Sequence, residues 1–294
     1  MFNISNISKF CFGCEQLGGT DWGEINVSDI TSAIHRSLDS GVNFFDTAPV
    51  YGLGLSETRL SEILGSKRHD LFIATKGGLS WSDSKLDGRA VVSRDSSKSH
   101  LRIGLENSLR RLKLDFIPIY YIHWPDPNVE IRYTFEILSK FQSEGKIMHI
   151  GCSNFNELQL RAACEVSDIS LVQLPINLLG DSINSKIADF VKDRSIGLVA
   201  YNVLANGLLT GKYDKNSRFE FSDRRSRLPQ FQGEMFLESL RQVEKISLKA
   251  TINNMKCSQF SISQVLKFPN VVSVIVGIKN LEQLEENISV LSLI

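Results

Sequence analysis

Short apolar runs alternate with longer segments in which apolar residues recur every three or four positions, and this alternation persists along nearly the whole chain. Ile30, Ala33, Ile34 and Leu38 share one face of a helix over Val27 to Gly41, with Gly41 placed to end it. Asn43-Phe44-Phe45 then predicts a short buried strand, Leu55 to Leu64 a helix and Leu71 to Thr75 a strand. Leu101, Leu105, Leu109 and Leu112 line one face of the next helix, with Ser96 or Ser97 as its cap. Phe116 to Ile122 reads as a strand, although Pro118 suits a central strand poorly. The rhythm continues with helix Ile131 to Glu144, strand Lys146 to Gly151, helix Glu157 to Val166 and strand Ser170 to Leu174. Helix Ser182 to Lys192 and strand Ile196 to Tyr201 follow. From Asp214 to Gly233 the pattern is polar and aperiodic, which predicts a functional or a mobile loop. Helices over Phe236 to Met255 and Ser261 to Lys267, a strand over Val271 to Val276 and a helix over Leu281 to Leu291 complete the chain.

Seven strands follow Asn43, and Ile7 to Phe12 supplies an eighth. Strands alternating with helices predict parallel βαβ units, and continuously apolar strands fit burial on both faces. Eight such units in 294 residues predict an α/β fold, a (β/α)8 TIM barrel forming a single domain over residues 1–294. Composition adds little: 42% hydrophobic and 22% charged residues are ordinary for a globular protein, and no tract reads as linker, repeat or coiled coil. Lys+Arg and Asp+Glu are both 33, so no bulk field attracts nucleic acid or an anionic membrane. Five cysteines at irregular spacing (Cys11, Cys14, Cys152, Cys164 and Cys257) imply no disulfide framework. With no leader-like or membrane-spanning run, a reducing, cytoplasmic setting is expected.

In a barrel of this kind the chemistry gathers at the C-terminal ends of the strands. The polar residues predicted there are Asp46, Lys76, His123, Ser153, Asn154, Gln173 and Tyr201, with Tyr51 five residues beyond Asp46. Asp46, Tyr51, Lys76 and His123 form a coherent acid–base set. An ammonium beside a phenol lowers its pKa, a carboxylate holds the ammonium, and an imidazole orients a substrate oxygen. The set is suited to protonating an oxygen as charge develops on it, which carbonyl reduction requires. Because side chains do not donate hydride, a nicotinamide cofactor is implied.

The stretch Gly41-Val-Asn-Phe-Phe-Asp46-Thr-Ala-Pro-Val-Tyr51-Gly resembles the signature of the aldo-keto reductases. Ala74-Thr-Lys76-Gly, Tyr121-Ile-His123-Trp-Pro125, Gly151-Cys-Ser153-Asn154-Phe155 and Gly207-Leu-Leu-Thr-Gly-Lys212 follow in family order. Ser108-Leu-Arg-Arg-Leu112 with His123-Trp-Pro-Asp-Pro127 is closest to the bacterial-type branch. The resemblance implies an NAD(P)H-dependent oxidoreductase that reduces an aldehyde or ketone, a sugar-type carbonyl among the options, to an alcohol. In that scheme Tyr51 is the proton donor, Lys76 and Asp46 tune it, and His123 orients the substrate. Ser153, Asn154 and Gln173 hold the nicotinamide carboxamide and Tyr201 stacks on its ring. Asn202, Leu204, Gly207 and Lys212 belong to the pyrophosphate loop, and Gly277, Lys279, Gln283 and Asn287 to the adenosine end. Lys279 stands where the family often has Arg facing a 2′-phosphate, so NADPH is the expected cofactor, with NADH the alternative and no metal. The expected partner is a small-molecule carbonyl substrate. A nicotinamide-binding regulatory subunit on the same fold is the alternative function, and a barrel lyase or isomerase using Lys76 as a Schiff base is a further rival.

The sequence departs from the family at Asn202-Val203-Leu204, where Ser-Pro-Leu is usual, and at Ile176, where an aromatic is usual before Asn177. The chain runs only a few residues past its last helix, whereas members with a long C-terminal loop use it to wall the pocket; an open mouth is expected. Trp22 and Trp124 are candidate walls of the substrate pocket, and Trp81 a cover of the rim. Cys11-Phe-Gly-Cys14 lacks the second pair of a structural zinc site and the helix N-terminus of a thioredoxin-like unit, so no metal or redox role is expected of it, and Cys152 reads as packing. Arg224, Arg225 and Arg227 read mainly as salt-bridge partners, with a phosphate site as the sharper hypothesis.

Overall fold

A computed structural model describes residues 3–86, 89–180 and 185–293. Along the chain it builds β1 (Phe10–Gly13), α1 (Val27–Asp39), β2 (Phe44–Asp46), α2 (Leu55–Leu64) and β3 (Phe72–Gly77). An antiparallel pair, β4 (Leu79–Leu86) and β5 (Arg89–Arg94), follows. The βα rhythm then resumes with α3 (Lys98–Leu112), β6 (Ile117–Ile122), α4 (Ile131–Ser143), β7 (Ile147–Ser153), α5 (Glu157–Cys164) and β8 (Ile169–Pro175). The last elements are α6 (Ser185–Asp193), β9 (Gly197–Tyr201), α7 (Gly233–Ile252), α8 (Cys257–Leu266), β10 (Val271–Gly277) and α9 (Leu281–Ile288). Strands β1, β2, β3, β6, β7, β8, β9 and β10 pair in parallel and close on each other. This is the expected (β/α)8 barrel. The first three positions of the expected helix Ser182 to Lys192 lie outside the described residues.

Local chemistry sets the element ends. The Asn26 side chain accepts from Ser28 N to start α1, and Gly41 (φ +82°) follows its last turn in a conformation that favours glycine. Of the two candidate caps for α3, Ser97 is the one that accepts from His100 N. Pro118 is tolerated inside β6 because the ladder to β3 begins only at Ile119. Among the described residues no helix is long and apolar enough to cross a membrane.

Two apolar layers hold the barrel. Outward-facing side chains such as Phe10, Phe12, Phe45, Ile73, Tyr120 and Ile122 pack under the helices. Cys11, Phe44, Ala74, Ile119, Tyr121, Leu171 and Val199 fill the barrel itself. Burying one such large apolar side chain contributes about 1.5–3 kcal/mol, which locks the register of each strand. Gly151 is part of this fit, since a Cβ there would lie 2.4 Å from the Tyr121 ring.

Two features differ from the expectation. The β4–β5 pair was not foreseen, because its strands carry mostly polar residues outside the barrel rhythm. The segment Asp214 to Gly233 is also less polar in effect than in composition. Phe219 and Phe231 stack edge-on at 5.1 Å and join Tyr213 and Phe236 in a satellite core beneath α7. Two short 3-10 turns, Arg224–Arg227 and Pro229–Phe231, shape the loop.

Candidate active site

Strand alternation aims the predicted residues at one point. Side chains two residues apart on a strand face the same way. Phe44 lies in the barrel interior, so Asp46 does too; Phe72 and Ala74 carry the same parity to Lys76. Ile119 and Tyr121 carry it to His123, Leu171 to Gln173, and Val199 to Tyr201. Asp46 and Lys76 are thus the last inward steps of their strands rather than residues beyond them.

Lys76 is fully buried and lies at the centre of the cluster. Its Nζ donates to Asp46 Oδ1 at 2.5 Å, to the Thr47 carbonyl at 2.9 Å and to the Tyr51 hydroxyl at 3.4 Å. The Tyr51 and His123 rings stand perpendicular with centroids 6.0 Å apart. Gly52, in the left-handed region (φ +62°), lets the Tyr51 loop lie against β1's exit turn. A Cβ on Gly52 would come within 2.1 Å of the Gly18 carbonyl oxygen. The Ser56 hydroxyl, at the start of α2, donates to Cys14 O and contacts the Thr47 hydroxyl at 2.8 Å, which steadies the same loop.

The electrostatics correct one expectation. Tyr51 is pushed well above the ordinary phenol value, by burial first and then by the charges of Asp46 and Glu15. Together these outweigh the Lys76 ammonium, whose Nζ lies 3.4 Å from the hydroxyl. The protein by itself therefore keeps the phenol protonated, the form a proton donor needs. His123 is shifted well below its ordinary 6.5 by burial and then by the Lys76 ammonium, so its ring is neutral. In the unfolded chain the same ring takes up a proton near 6.5, and in the folded chain only at lower pH. Below about pH 6.5 the unfolded state thus binds more protons, and acidification removes stability. Thermal melts should show this acid slope in the wild type and a shallower one in His123→Gln; equal slopes would mean that His123 titrates normally.

A second hydrogen-bonded chain runs from this cluster. Gln173 Nε2 donates to Asp46 Oδ2 at 2.8 Å, and Ser153 Oγ approaches Gln173 Oε1 at 3.4 Å. Asn154, at φ +64°, donates from Nδ2 to Ser153 Oγ and to the His123 carbonyl, both at 3.0 Å. Its Oδ1 accepts from the Tyr201 hydroxyl at 2.6 Å. Asn202 Oδ1 accepts from Asn206 N and so shapes the 3-10 turn Ala205–Thr210 that carries Gly207.

A cleft of about 880 Å³ crosses the barrel mouth. Its lining includes Asp46, Tyr51, His123, Ser153, Asn154, Gln173, Tyr201, Asn202, Leu204, Gly207 and Lys212. Gly277, Lys279, Gln283, Asn287, Trp22 and Trp124 line it too, so every predicted site residue reaches it except Lys76, which stays behind Asp46 and Tyr51. That burial disfavours Lys76 as a Schiff-base former. Lys212, Arg225 and Lys279 share one end with Glu282 and Glu286: burial, then Arg225, depresses both lysines, while Asp223 and, at Lys212, Glu286 oppose that shift. The Asn287 Oδ1 is buried in the same end with no hydrogen-bond partner among the described residues. Trp124 stacks under Arg94, and Leu79 and Val92 of the β4–β5 pair add to the wall.

The three loop arginines are each matched to a carboxylate: Arg224 to Glu15, Arg225 to Asp223 and Arg227 to Asp21. This favours the salt-bridge reading. All five cysteines are free, and burial pushes the thiols of Cys11, Cys14 and Cys152 up. The sequence reading missed Glu15, Gln16 and Asp21, which line the cleft from the exit of β1. Their position just after the first strand is the signal that points to them.

Comparison with known proteins agrees with this geometry. A family model described as "Aldo/keto reductase family" matches residues 9–293. The chain is 32% identical to the aldo-keto reductase YhdN of Bacillus subtilis over 95% of its own length and 83% of the relative. It is 30% identical to the aldo-keto reductase yakc [NADP(+)] of Schizosaccharomyces pombe, over 96% of this chain and 82% of that one. Among solved structures, the glycerol dehydrogenase AKR11B4 from Gluconobacter oxydans superposes with a TM-score of 0.86 at 32% identity, covering 95% of this chain and 85% of that one. The aldo-keto reductase AKR11C1 from Bacillus halodurans shares the fold with a TM-score of 0.79 at 21% identity, over 97% and 87% of the two chains. With a matching barrel, a matching family model and relatives above 30% identity, the chain belongs to the aldo/keto reductase family and is an oxidoreductase.

Proposed function

We propose that the protein reduces the carbonyl of a small aldehyde or ketone with NADPH, using Tyr51 as the proton donor. The observation that carries this reading is the Lys76 ammonium, held between Asp46 at 2.5 Å and the Tyr51 hydroxyl at 3.4 Å behind the wall of a cleft that Lys212, Arg225 and Lys279 also line. A relative described with NADP(+) and a neighbour described as a glycerol dehydrogenase support a phosphorylated nicotinamide cofactor and a small carbonyl–alcohol couple.

The residues present fit such a cofactor. The buried, unpartnered Asn287 Oδ1 offers an acceptor in the part of the cleft that Lys212, Arg225 and Lys279 also line. Tyr201, Asn154, Ser153 and Gln173 present a ring face and amide groups elsewhere along it. When bound, the reduced nicotinamide supplies hydride to the carbonyl carbon. Tyr51 donates its hydroxyl proton to the carbonyl oxygen. Lys76 stabilises the phenolate left behind, and Asp46 keeps the ammonium in place. Neutral His123 donates an N–H to the same oxygen and fixes its direction.

Mixing the protein with NADPH and para-nitrobenzaldehyde tests this reading. Absorbance should report cofactor consumption and chromatography the alcohol. Cofactor binding without turnover of any carbonyl would replace it with the regulatory-subunit reading. Within the reading, Lys279→Met should raise KM for NADPH by about tenfold and leave that for NADH nearly unchanged, because one charge–phosphate contact is worth roughly 1.5–3 kcal/mol. Equal changes for both cofactors would move Lys279 away from the 2′-phosphate.

A further inference from the structure

Tyr51 and Lys76 come from different elements, and one buried carboxylate ties those elements together. Glu57 lies in the first turn of α2, and none of its side chain is exposed. Its Oε1 accepts from Thr75 Oγ1 at 2.6 Å, and its Oε2 accepts from Arg111 Nε of α3 at 2.6 Å. Thr75 precedes Lys76 on β3 and faces the opposite side of the strand, away from the barrel interior. The other end of the link lies at Tyr51, whose carbonyl accepts from Ser56 N at 3.2 Å, next to Glu57 in the same turn. Gly54, which caps α2 at φ +97°, lies under the Arg111 side chain; a Cβ there would come within 2.9 Å of Arg111 Cδ. None of Glu57, Thr75 and Arg111 lines the cleft.

Stability alone does not call for this arrangement. A buried ion pair gains little over well-packed apolar side chains of the same volume, because both charges lose water. What it adds is direction. Charge-assisted hydrogen bonds are short and angle-dependent, so two of them on one carboxylate fix α2 against β3 and α3 more tightly than apolar contact does. Ser56 ties the Tyr51 loop to the exit of β1, and Glu57 ties it to the strand that bears Lys76. The distance this sets is the 3.4 Å from Lys76 Nζ to the Tyr51 hydroxyl. That contact is at the long edge of hydrogen bonding, so a slip of α2 along β3 by about 1 Å breaks it. The other two bonds of Lys76 Nζ go to Asp46 and the Thr47 carbonyl at the end of β2, which leaves Tyr51 as the member that moves.

We propose that Glu57 is a positioning residue for proton transfer: braced by Arg111, it holds Thr75 and so sets the Tyr51 phenol against the Lys76 ammonium, without touching substrate or cofactor. The proposal rests on the reading above of Tyr51 as proton donor and Lys76 as its support.

Thr75→Val tests it, since valine keeps the shape of threonine and removes only the donor to Glu57, whose charge stays paired with Arg111. With NADPH and para-nitrobenzaldehyde, assayed well below the melting range, kcat should fall by about tenfold or more, because misplacing a reacting pair by about 1 Å costs up to about a hundredfold. The Kd for NADPH from fluorescence titration and the KM for the aldehyde should stay within about twofold of wild type. Thr75→Ser, which restores the hydroxyl, should recover most of kcat. In a Tyr51→Phe background Thr75→Val should change the residual rate by less than about twofold, since a residue that acts through the phenol has nothing to act on once the hydroxyl is gone. A merely structural role predicts the same loss in both backgrounds, with Tm and cofactor binding falling together. That result, an unchanged kcat in Thr75→Val, or a serine variant as slow as the valine one overturns the proposal while leaving carbonyl reduction standing. If Thr75→Val does not fold, Thr75→Ala against Thr75→Ser gives the same comparison, the two differing by one oxygen. A wild-type protein that reduces no carbonyl removes both the proposal and the reading it rests on.

Discussion

Tyr51→Phe should lower kcat by about 10²–10⁴-fold while cofactor affinity stays within about twofold. The size follows from what the substitution removes. It deletes one hydroxyl and keeps the ring, whose edge packs against His123 at 6.0 Å between centroids. The cleft keeps its shape, so binding of a nicotinamide nucleotide changes little. The carbonyl oxygen, however, loses its acid at the moment it gains charge, and water is a poor substitute in a buried site. The pH profile separates this role from a packing role. Burial and the Asp46 and Glu15 charges push the Tyr51 phenol up, so the acid form persists through neutral pH and the wild-type rate should not decline until well into the alkaline range. In Tyr51→Phe the residual rate should show no alkaline limb from this group. Stopped-flow turnover and cofactor fluorescence titration measure the two quantities. Retained turnover would assign proton donation elsewhere in the cleft, and a parallel loss of cofactor binding would make Tyr51 a binding residue.

The site was legible in the sequence to the extent that strand parity carries it. Phe44 and Asp46, Ala74 and Lys76, Leu171 and Gln173 are pairs two residues apart; once the first is assigned to the core, the second must face inward. The barrel followed from the same regular alternation, with ends shifted by a few residues where caps decide them, as Ser97 does for α3. What escaped lies outside that alternation. Strands β4 and β5 interrupt the βα rhythm, and their largely polar residues carry no apolar run to announce them. Phe219 and Phe231 lack helical or strand spacing, so only tertiary contact shows that they anchor the loop after β9. Glu15 sits in a turn with no periodicity, and its partner Arg224 is 209 residues away. The direction of the Tyr51 shift was misjudged for a related reason. Sequence names the neighbours of a phenol but not how deeply it is buried, nor that the charges of Asp46 and Glu15 both reach it.

Lys76→Met tests the same cluster through stability as well as rate. The substitution removes a cation from a fully buried position and leaves the Asp46 carboxylate, only 4% exposed, without it. Removing one partner of a buried ion pair costs about 3–5 kcal/mol, because the remaining charge has neither water nor a counterion. Here Gln173 Nε2 still donates to Asp46 Oδ2 at 2.8 Å, so the lower part of that range is expected. For a chain of this size such a loss corresponds to a fall in Tm of roughly 5–10 °C. The pair can be told from its parts by adding Asp46→Asn. The double variant no longer buries a lone carboxylate, so it should recover much of the lost stability and none of the lost turnover, since the phenolate of Tyr51 still has no ammonium at 3.4 Å. Additive losses in Tm would mean that Lys76 and Asp46 stabilise the barrel independently. Recovered turnover in the double variant would mean that the ammonium is not what supports Tyr51.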